Sequence, residues 1–381
     1  MIKVENFDLI ELWHKAKNDQ HERVRDFYKI ALPLIREYNK YCVDKSYLDF
    51  NDLITRCISL FQKEKDIAER MQKKYRYILV DEFQDVNNLQ VEFIKLLLTE
   101  QSQLFCVGDD WQSIYGFRGS DVSYIIEFER HFPQSKIVKL NLNYRSTQNI
   151  VGASNEVIKH NKFKIDKEIL ASKYSEKKNL LFSGNSEEEN LKFCVEEVKQ
   201  LLKDGYKNDE ILFLYRRNHM FHNPLKPEQS YRLVFQNEQI KVQSKTIHAA
   251  KGLEAKVVFI IGLTEGNGGF PDIWMEDRIF QTIKKANHDL LMEEERRLFY
   301  VAITRAKEKL FLISQKDSES GFISEIPNNF IERIDKPIQL IQNKVLLCQN
   351  CYCQIDGADK FCKNCGAKIE KNSNPLRSSQ I

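Results

Sequence analysis

The sequence has 381 residues, a length that favours two or three domains. Its 42% hydrophobic residues are enough for ordinary globular cores, and its formal net charge of only +3 excludes a strong overall basic field. A local basic groove for nucleic acid stays compatible with that charge. There is no apolar run long enough to span a bilayer, and the N-terminal stretch lacks a continuous apolar core. We therefore expect no membrane span, no secretory signal and a cytoplasmic location.

The first part of the chain is predicted to be helical and then to alternate strands with helices. Apolar residues recur at helical spacing through residues 1–72, where Asp49 or Asn51 can begin a helix. The elements predicted after it are strands over Tyr75–Val80, Leu104–Val107 and Lys136–Leu142 and a helix over Val91–Leu98. This alternation is typical of a parallel sheet flanked by helices.

The second part of the chain repeats that alternation. The predicted strands are Leu180–Phe182, Ile211–Tyr215, Ile240–Thr246, Val257–Gly262 and Leu310–Ser314. The predicted helices are Glu187–Leu202, which Gly205 would close, and Glu293–Arg305. Residues 218–240 are polar and contain two prolines, so a loop insertion is predicted there. Two α/β sheets fit the length, meeting near residue 147.

Two carboxylates, Asp81 and Glu82, directly follow the first predicted strand. Successive side chains alternate in direction there, so one carboxylate can hold Mg²⁺, a hard cation that prefers oxygen ligands. The other can polarise an attacking water. An acidic pair at a strand end is by itself more often a solvated cap, whereas the whole string DEFQD is far more specific.

A glutamine and a group of aromatic residues follow the second predicted strand. Gln112 can sense a terminal phosphate by hydrogen bonding. A stacking platform for single-stranded bases needs aromatic rings beside a guanidinium, and this segment supplies them in Trp111, Tyr115, Phe117 and Arg118. Core packing of the rings is the alternative, and we expect some rings to pack and others to face nucleic acid.

Basic residues and a small-residue passage complete the candidate site. Arg145 and Arg305 can place a guanidinium against the developing charge of a γ-phosphate, although a surface arginine usually only solvates a face. A strand-to-loop-to-helix passage, whose small residues permit close backbone approach, carries Thr246, His248, Lys251, Gly252 and Glu254.

Cysteines crowd into the last tenth of the chain. Two Cys-x2-Cys pairs ten residues apart match the ligand pattern of tetrahedral Zn²⁺, and they are Cys348, Cys351, Cys362 and Cys365. The segment is too short to fold on an apolar core alone, so metal binding would supply its folding free energy. We predict a structural zinc ribbon over residues 346–370, with Cys353 as an alternative to Cys351.

Five blocks in one order resemble the UvrD/Rep branch of superfamily 1 DNA helicases, and within it the helicase IV type, over roughly residues 40–315. The blocks are ILVDEFQD (Ile78–Asp85), FCVGDDWQSIYGFRGS (Phe105–Ser120), LNLNYRST (Leu140–Thr147), SKTIHAAKGLE (Ser244–Glu254) and EEERRLFYVAITRAK (Glu293–Lys307). The segment GLTEGNGGFPD (Gly262–Asp272) adds to the resemblance.

This resemblance implies a role for each matching residue. For catalysis, Asp81 would coordinate Mg²⁺, Glu82 would activate water, Gln112 would contact the γ-phosphate, and Arg145 and Arg305 would act as arginine fingers. For ATP binding, Tyr144 would stack on adenine, Glu254 would hold the ribose and Gly252 would lie beside the nucleotide. The DNA-facing residues would be Trp111, Tyr115, Phe117, Arg118, Thr246 and His248.

The resemblance also implies an architecture. The fold class would be α/β, with two RecA-like parallel-sheet domains, the first incomplete, an N-terminal helical segment and a C-terminal zinc ribbon. The expected division is a helical accessory segment (1–72), part of the first RecA-like domain (73–146), the second RecA-like domain (147–320), a linker (321–345), the ribbon (346–370) and a disordered tail (371–381).

One familiar motif is missing from the sequence, since no G-x-x-x-x-G-K-[ST] phosphate-binding loop occurs in it. In the family that loop would precede residue 1. We expect ATP- and Mg²⁺-dependent 3′ to 5′ translocation on DNA that is single-stranded or has a 3′ single-stranded tail. The missing N-terminal helicase part would be supplied by a longer natural product or by a separately encoded polypeptide. The isolated chain is expected to be inactive. The rival hypothesis is an ATPase-inactive remnant or DNA-binding module.

Overall fold

The computed structural model describes residues 8–222, 230–266, 268–272, 279, 282 and 288–334, with short pieces at 346–347, 354–355, 361, 363 and 368. Over these residues the fold is of the α/β type with parallel sheets, which is the predicted class. None of the helices in these ranges is both long and apolar enough to cross a membrane.

Helices occupy the first described segment, where they were predicted. They are α1 (Leu9–Lys17), α2 (Glu22–Asp44), α3 (Phe50–Lys63) and α4 (Lys65–Lys74). Of the two predicted helix starts, Asp49 is the N-cap of α3. Its side chain accepts from the Asp52 backbone N–H at 2.8 Å, and the Asp52 side chain accepts from the Asp49 N–H at 3.1 Å. This capping box satisfies two donors that a helix start otherwise leaves unpaired.

The first sheet has two parallel strands among the described residues, β1 (Tyr77–Val80) and β2 (Gln103–Cys106), joined by helix α5 (Asn88–Leu97). One face is covered by a small core in which Phe83, Val91 and Ile94 are buried. The other face is open, with Leu79 73% exposed and Phe105 62% exposed.

A third predicted strand, Lys136–Leu142, is wrong in position. Two short helices, α6 (Ser123–Ile126) and α7 (Phe128–His131), precede it, and the strand β3 begins only at Leu142 and runs to Thr147. It pairs in parallel with β4 (Leu170–Lys173), which was not predicted. The apolar residues 137, 138 and 140, on which the prediction rested, are exposed.

The second sheet is the centre of the fold. Its strands are β5 (Asn179–Gly184), β6 (Ile211–Tyr215), β7 (Gln243–Thr246), β8 (Ala255–Ile260), β9 (Ala306–Gln315) and β10 (Ile331–Arg333). They lie in the order β10-β5-β9-β8-β6-β7, and all pairs are parallel. The residues of β6 are all buried, as expected for a strand covered on both faces.

Helices cover both faces of this sheet. On one face α8 (Gln148–Lys159) and α12 (His288–Ile303) pack against alternate strand residues, and on the other α9 (Glu187–Lys203) packs with α11 (Tyr231–Asn237). Helix α9 closes as predicted: Gly205, with φ of +93°, donates its N–H to the carbonyl of Leu202.

Two predicted connections turn out to be packed structure. Residues 218–240 are not simply a loop, because α10 (Asn218–Phe221) and α11 lie within them and Tyr231 and Phe235 are buried against Phe213. The start of the predicted linker is also folded. Helix α13 (Gly321–Ser324) buries its apolar residues and β10 pairs with β5, so the second sheet's domain extends past residue 320.

Candidate nucleotide and nucleic-acid site

The predicted acidic pair lies at the carboxyl end of β1, and both side chains are exposed. Glu82 has a left-handed backbone, with φ of 51°, a conformation that costs free energy in a non-glycine residue. The Asp81 side chain accepts from the Glu82 N–H at 2.9 Å, and the Gln84 side-chain amide donates to Glu82 at 2.5 Å. Gln84, fully buried, also accepts from the Asp109 N–H at 2.9 Å, and so ties the ends of both strands together.

Gln112 joins the two sheets. Its side-chain amide donates to Asp109 Oδ2 at 2.8 Å, and its Oε1 accepts from Arg305 Nη2 at 3.3 Å. Arg305 is 1% exposed and also donates to the carbonyls of Val301 and Leu253. The predicted phosphate sensor of the first sheet and the predicted arginine finger of the second sheet are therefore in contact.

A cluster of cations surrounds Glu254. Arg145 Nε lies 2.6 Å from one carboxylate oxygen and Lys307 Nζ lies 2.5 Å from the other. The Lys307 hydrogen bond, followed by the Arg145 charge, lowers the pKa of Glu254. Burial, with the charge of Arg145 beside it, lowers the pKa of Arg305 to about 10. Arg145 and Lys307 are two cations paired with one carboxylate, which leaves an excess of positive charge at this point.

The remaining predicted nucleotide residues lie beside this cluster. The ring of Tyr144 is 70% exposed, next to Arg145 on β3. Gly252 is exposed and has φ of +81°, in the left-handed region that favours glycine. The passage that carries it contains only a 3-10 turn over His248–Ala250 and then enters β8 directly, so the helix predicted at its end is wrong.

Lys251 links the two sheets. It belongs to a sequence motif, but no role was predicted for it. Its Nζ lies 2.5 Å from Asp85 Oδ2, 2.8 Å from the Gln112 carbonyl and 3.7 Å from Glu82 Oε2. Burial raises the pKa of Asp85, although the hydrogen bond from Lys251 opposes that shift. Both residues lie in motif blocks, Asp85 at the end of the DEFQD string and Lys251 beside Gly252.

Trp111 does not present its ring to solvent, which corrects its assignment to the DNA-facing set. The side chain is 2% exposed and packs edge-on against Tyr300, with 5.5 Å between ring centroids. Its indole N–H donates to the carbonyl of Ile165 at 3.2 Å, and Lys167 lies over the ring. The ring is therefore part of the core of the second sheet's domain.

The other predicted DNA-facing rings form one aromatic cluster. Phe117 is 52% exposed and lies edge-on to His248 at 5.3 Å, and Arg118 lies over both Tyr115 and Phe117. The Tyr115 hydroxyl donates to the carbonyl of His248 at 3.1 Å. Burial, followed by the charges of nearby arginines, lowers the pKa of His248 to about 4, so this imidazole is neutral at pH 7.

Thr246 ends β7 two residues before His248, where the turn begins, and its hydroxyl accepts from the Ala249 N–H at 3.3 Å. It caps the turn beside the aromatic cluster formed by Tyr115, Phe117 and His248. The structure brings most of the predicted residues together at the junction of the two sheets.

Comparison with known proteins identifies the family. The UvrD/REP helicase N-terminal domain matches residues 3–133, and the UvrD-like helicase C-terminal domain matches residues 138–226 and 222–317. The chain belongs to the UvrD/REP helicase family. The family predicted from the motifs is confirmed.

Individual helicases show the extent of the similarity. The chain is 34% identical to a probable DNA helicase of Mycoplasma pneumoniae over 317 residues, which is 81% of this chain and 56% of that protein. It is 36% identical to the ATP-dependent DNA helicase PcrA of Staphylococcus epidermidis over 205 residues (54% and 28%). It is 29% identical to DNA helicase IV of Escherichia coli over 326 residues (83% and 45%). The chain thus spans about half the length of these helicases or less.

The residues of this UvrD/REP family chain suit the ligands that the motifs imply. The cations paired with Glu254, with the guanidinium of Arg305 nearby, fit a polyanion such as the phosphates of ATP. Two exposed carboxylates after β1 fit a hydrated Mg²⁺. Over the described ranges, no group of three or more His, Cys, Asp or Glu side chains is arranged as a metal site. The predicted zinc ligands lie outside the described residues, at Cys348, Cys351, Cys362 and Cys365.

Proposed function

We propose that this chain is the motor portion of an ATP-dependent DNA helicase that translocates 3′ to 5′ along DNA. The observation that carries the proposal is the contact between Arg305 Nη2 of the second sheet and Gln112 Oε1 of the first. ATP between two RecA-like domains would lie against this contact, where a guanidinium and an amide can both reach a terminal phosphate.

In this proposal each residue of the candidate nucleotide site has its own role in ATP hydrolysis. Asp81 holds Mg²⁺, which supplies charge neutralisation on the phosphates when it is bound. Glu82, whose carboxylate is exposed at the end of β1, accepts a proton from the attacking water. Arg145 and Arg305 stabilise the charge that develops on the phosphoryl oxygens.

Tyr144 and Glu254 are proposed to select the nucleoside. The exposed ring of Tyr144 stacks on adenine, and Glu254 together with Gly252 lies beside the ribose. Glu254 is ion-paired with Arg145 and Lys307 in this structure. Nucleotide binding would therefore exchange one of these pairs for contacts with ATP.

DNA is proposed to cross the aromatic cluster. Phe117 offers an exposed ring beside Arg118, and base stacking on such rings contributes about 1–3 kcal/mol per base. Tyr115, His248 and Thr246 support this ring, because Tyr115 and His248 pack against Phe117 and Thr246 caps the turn that carries His248. A single strand, or the 3′ single-stranded tail of a duplex, fits such a stacking surface.

A phosphate-binding loop is proposed to come from a further N-terminal helicase part. The open face of the first sheet supports this proposal, because Leu79 and Phe105 expose apolar side chains that a neighbouring layer would cover. The rival proposal is an ATPase-inactive remnant or DNA-binding module, which the aromatic cluster would support without nucleotide chemistry.

A structural Zn²⁺ is proposed for residues 346–370. Leu346–Leu347 pairs antiparallel with Gln354–Ile355, and Phe361 pairs with Lys368. In the sequence each Cys-x2-Cys pair falls between two such paired positions, which is the arrangement of a metal knuckle in a ribbon. One zinc per chain by elemental analysis, halved or lost on Cys351→Ser, would support it, and a metal-free wild-type chain would refute it.

The experiment that tests the proposed function is DNA-stimulated ATP hydrolysis. The chain is assayed alone and with an added N-terminal segment that carries the phosphate-binding loop of a relative. Activity only in the mixture, abolished by Glu82→Gln, is the expected result. No activity in either sample with DNA binding retained favours the binding module, and activity of the chain alone refutes the need for an added segment.

A further inference from the structure

The segment between α8 and β4 lies across the residues that follow β2. Its Ile165 N–H donates to Asp110 Oδ2 at 2.7 Å, and its Ile165 carbonyl accepts from the Trp111 indole at 3.2 Å. Asp110 is fully buried. These contacts hold the segment against the loop that carries Gln112, although none of the motif blocks includes it.

Lys167 is the charged residue of this segment at the loop. Its side chain is only 12% exposed, and its Nζ lies 2.6 Å from Asp109 Oδ1 and 2.7 Å from Asp110 Oδ1. The same ammonium lies 4.7 Å from the centre of the Trp111 ring. Burial alone would lower the pKa of Lys167, but the two carboxylates raise it above its ordinary value, so Lys167 is charged at pH 7.

The Asp109 carboxylate contacts both Lys167 and Gln112. Its Oδ1 faces Lys167, and its Oδ2 accepts from the Gln112 amide at 2.8 Å. An ionised carboxylate only accepts hydrogen bonds, so Gln112 must turn its NH₂ group towards Asp109. The carbonyl oxygen of Gln112 then faces Arg305, where it accepts at 3.3 Å.

We propose that Lys167 is a positioning residue for the phosphate-sensing amide of Gln112. It neutralises two adjacent carboxylates and, together with the Trp111 backbone N–H that donates to Asp109 Oδ1 at 3.1 Å, fixes Asp109. Asp109 then holds one N–H of the Gln112 amide and Arg305 holds its carbonyl oxygen, so the second N–H of that amide is the one that can donate to a terminal phosphate. Without Lys167, Asp109 and Asp110 repel each other in a partly buried site, and Asp109 can turn away from Gln112. The inference rests on the proposed function only for its consequence in ATP hydrolysis.

Three variants test it: Lys167→Met removes the charge, Lys167→Arg keeps it, and Lys162→Met changes an exposed lysine of the same segment as the matched control. In the ATPase mixture, we expect Lys167→Met to lower kcat at least about tenfold with KM for ATP within about twofold, because a terminal-phosphate contact acts mainly in the transition state. Lys167→Arg should recover most of kcat, and Lys162→Met should match the wild type. An unchanged kcat in Lys167→Met refutes the inference while leaving the proposed function intact.

A second measurement needs no catalysis. In the full chain labelled with ¹⁵N-glutamine, the Gln112 side-chain amide signal is assigned by its loss in Gln112→Ala. We expect this signal to shift and gain fast motion in Lys167→Met and to stay near its wild-type position in Lys167→Arg. If every sample lacks ATPase activity, the proposed function fails, and this signal still decides the inference. An amide signal identical in Lys167→Met and wild type refutes it.

A fourth variant covers the case in which Lys167→Met does not fold. Asp109→Asn keeps an oxygen acceptor but removes the charge that Lys167 pairs with. The Gln112 amide signal should change in this variant too, since the side-chain amide of an asparagine can be donor or acceptor and no longer fixes its neighbour. An unaltered Gln112 signal in Asp109→Asn would show that Lys167 does not position Gln112 through Asp109.

Discussion

Lys251→Met should destabilise the chain by an amount set by the buried charge that it leaves behind. The Lys251 side chain is 9% exposed and that of Asp85 is 19% exposed, and they are 2.5 Å apart. Removing one partner of a buried ion pair costs about 3–5 kcal/mol. Asp85 retains some contact with water and its pKa is already raised by burial, so protonation relieves part of the cost. We expect a loss of about 2–3 kcal/mol at pH 7.

Urea unfolding followed by tryptophan fluorescence measures this loss, with Trp111 reporting at the same junction. The matched control is Lys199→Met, whose partner Glu238 is also 2.5 Å away but whose side chains are 46% and 43% exposed. An exposed pair contributes about 0–1 kcal/mol, so the control should unfold close to the wild type.

The pH dependence gives this prediction its sharpest test. In Lys251→Met the pKa of Asp85 rises further, because the opposing hydrogen bond is gone. A carboxyl whose folded pKa is raised binds protons more tightly in the folded state, so the variant regains stability as the pH falls towards 5. The reasoning is refuted if the unfolding free energies of Lys251→Met and the wild type differ by less than about 0.5 kcal/mol, or if their difference does not become smaller at acid pH.

Three further outcomes are expected. The fold holds His248 neutral, with its pKa lowered to about 4. Its contribution to the free energy of unfolding is therefore fully present above pH 6.5 and falls as the pH drops towards 4, by on the order of 3 kcal/mol at most. His248→Gln should flatten this pH dependence in acid unfolding curves. Trp111→Ala should cost about 3–5 kcal/mol in urea unfolding, whereas Phe117→Ala should leave stability nearly unchanged and weaken single-stranded DNA binding in fluorescence anisotropy titrations. Leu79→Glu on the open face should raise solubility without lowering the melting temperature, and it should reduce the ATPase activity gained with the added N-terminal segment.

The second sheet was predictable because its signal is local. The run Ile211–Tyr215 is apolar throughout and buried on both faces, and helix α9 has its closing glycine at Gly205. The strand predicted at Lys136–Leu142 failed because short apolar stretches look alike whether or not a neighbour pairs with them. The observed β3 has a polar sequence, and its pairing partner Leu170–Lys173 comes more than 20 residues later.

The residues of the candidate site also differ in whether the sequence could identify them. Residues within the motif blocks, such as Gln112 and Arg305, were proposed for the site because their spacing matches a family, and the structure places these two in contact. Trp111 was assigned wrongly because an aromatic residue beside an arginine has the same local signature in a core and on a binding surface. Lys167 could not be found, since its partner Asp109 lies 58 residues away and no motif contains it.

The loop after β2 makes apolar contacts towards the second sheet and polar contacts towards the first sheet. Towards the second sheet the loop buries Trp111 and Ile114, which are 2% and 0% exposed, and burying such side chains contributes about 1.5–3 kcal/mol each. Towards the first sheet it is held by hydrogen bonds, from the Asp109 N–H to Gln84 and from the Ser113 hydroxyl to the Gln84 carbonyl. Each contributes only about 0.5–1.5 kcal/mol net, because water can replace it. The side-chain contacts of this loop are therefore stronger towards the second sheet than towards the end of β1.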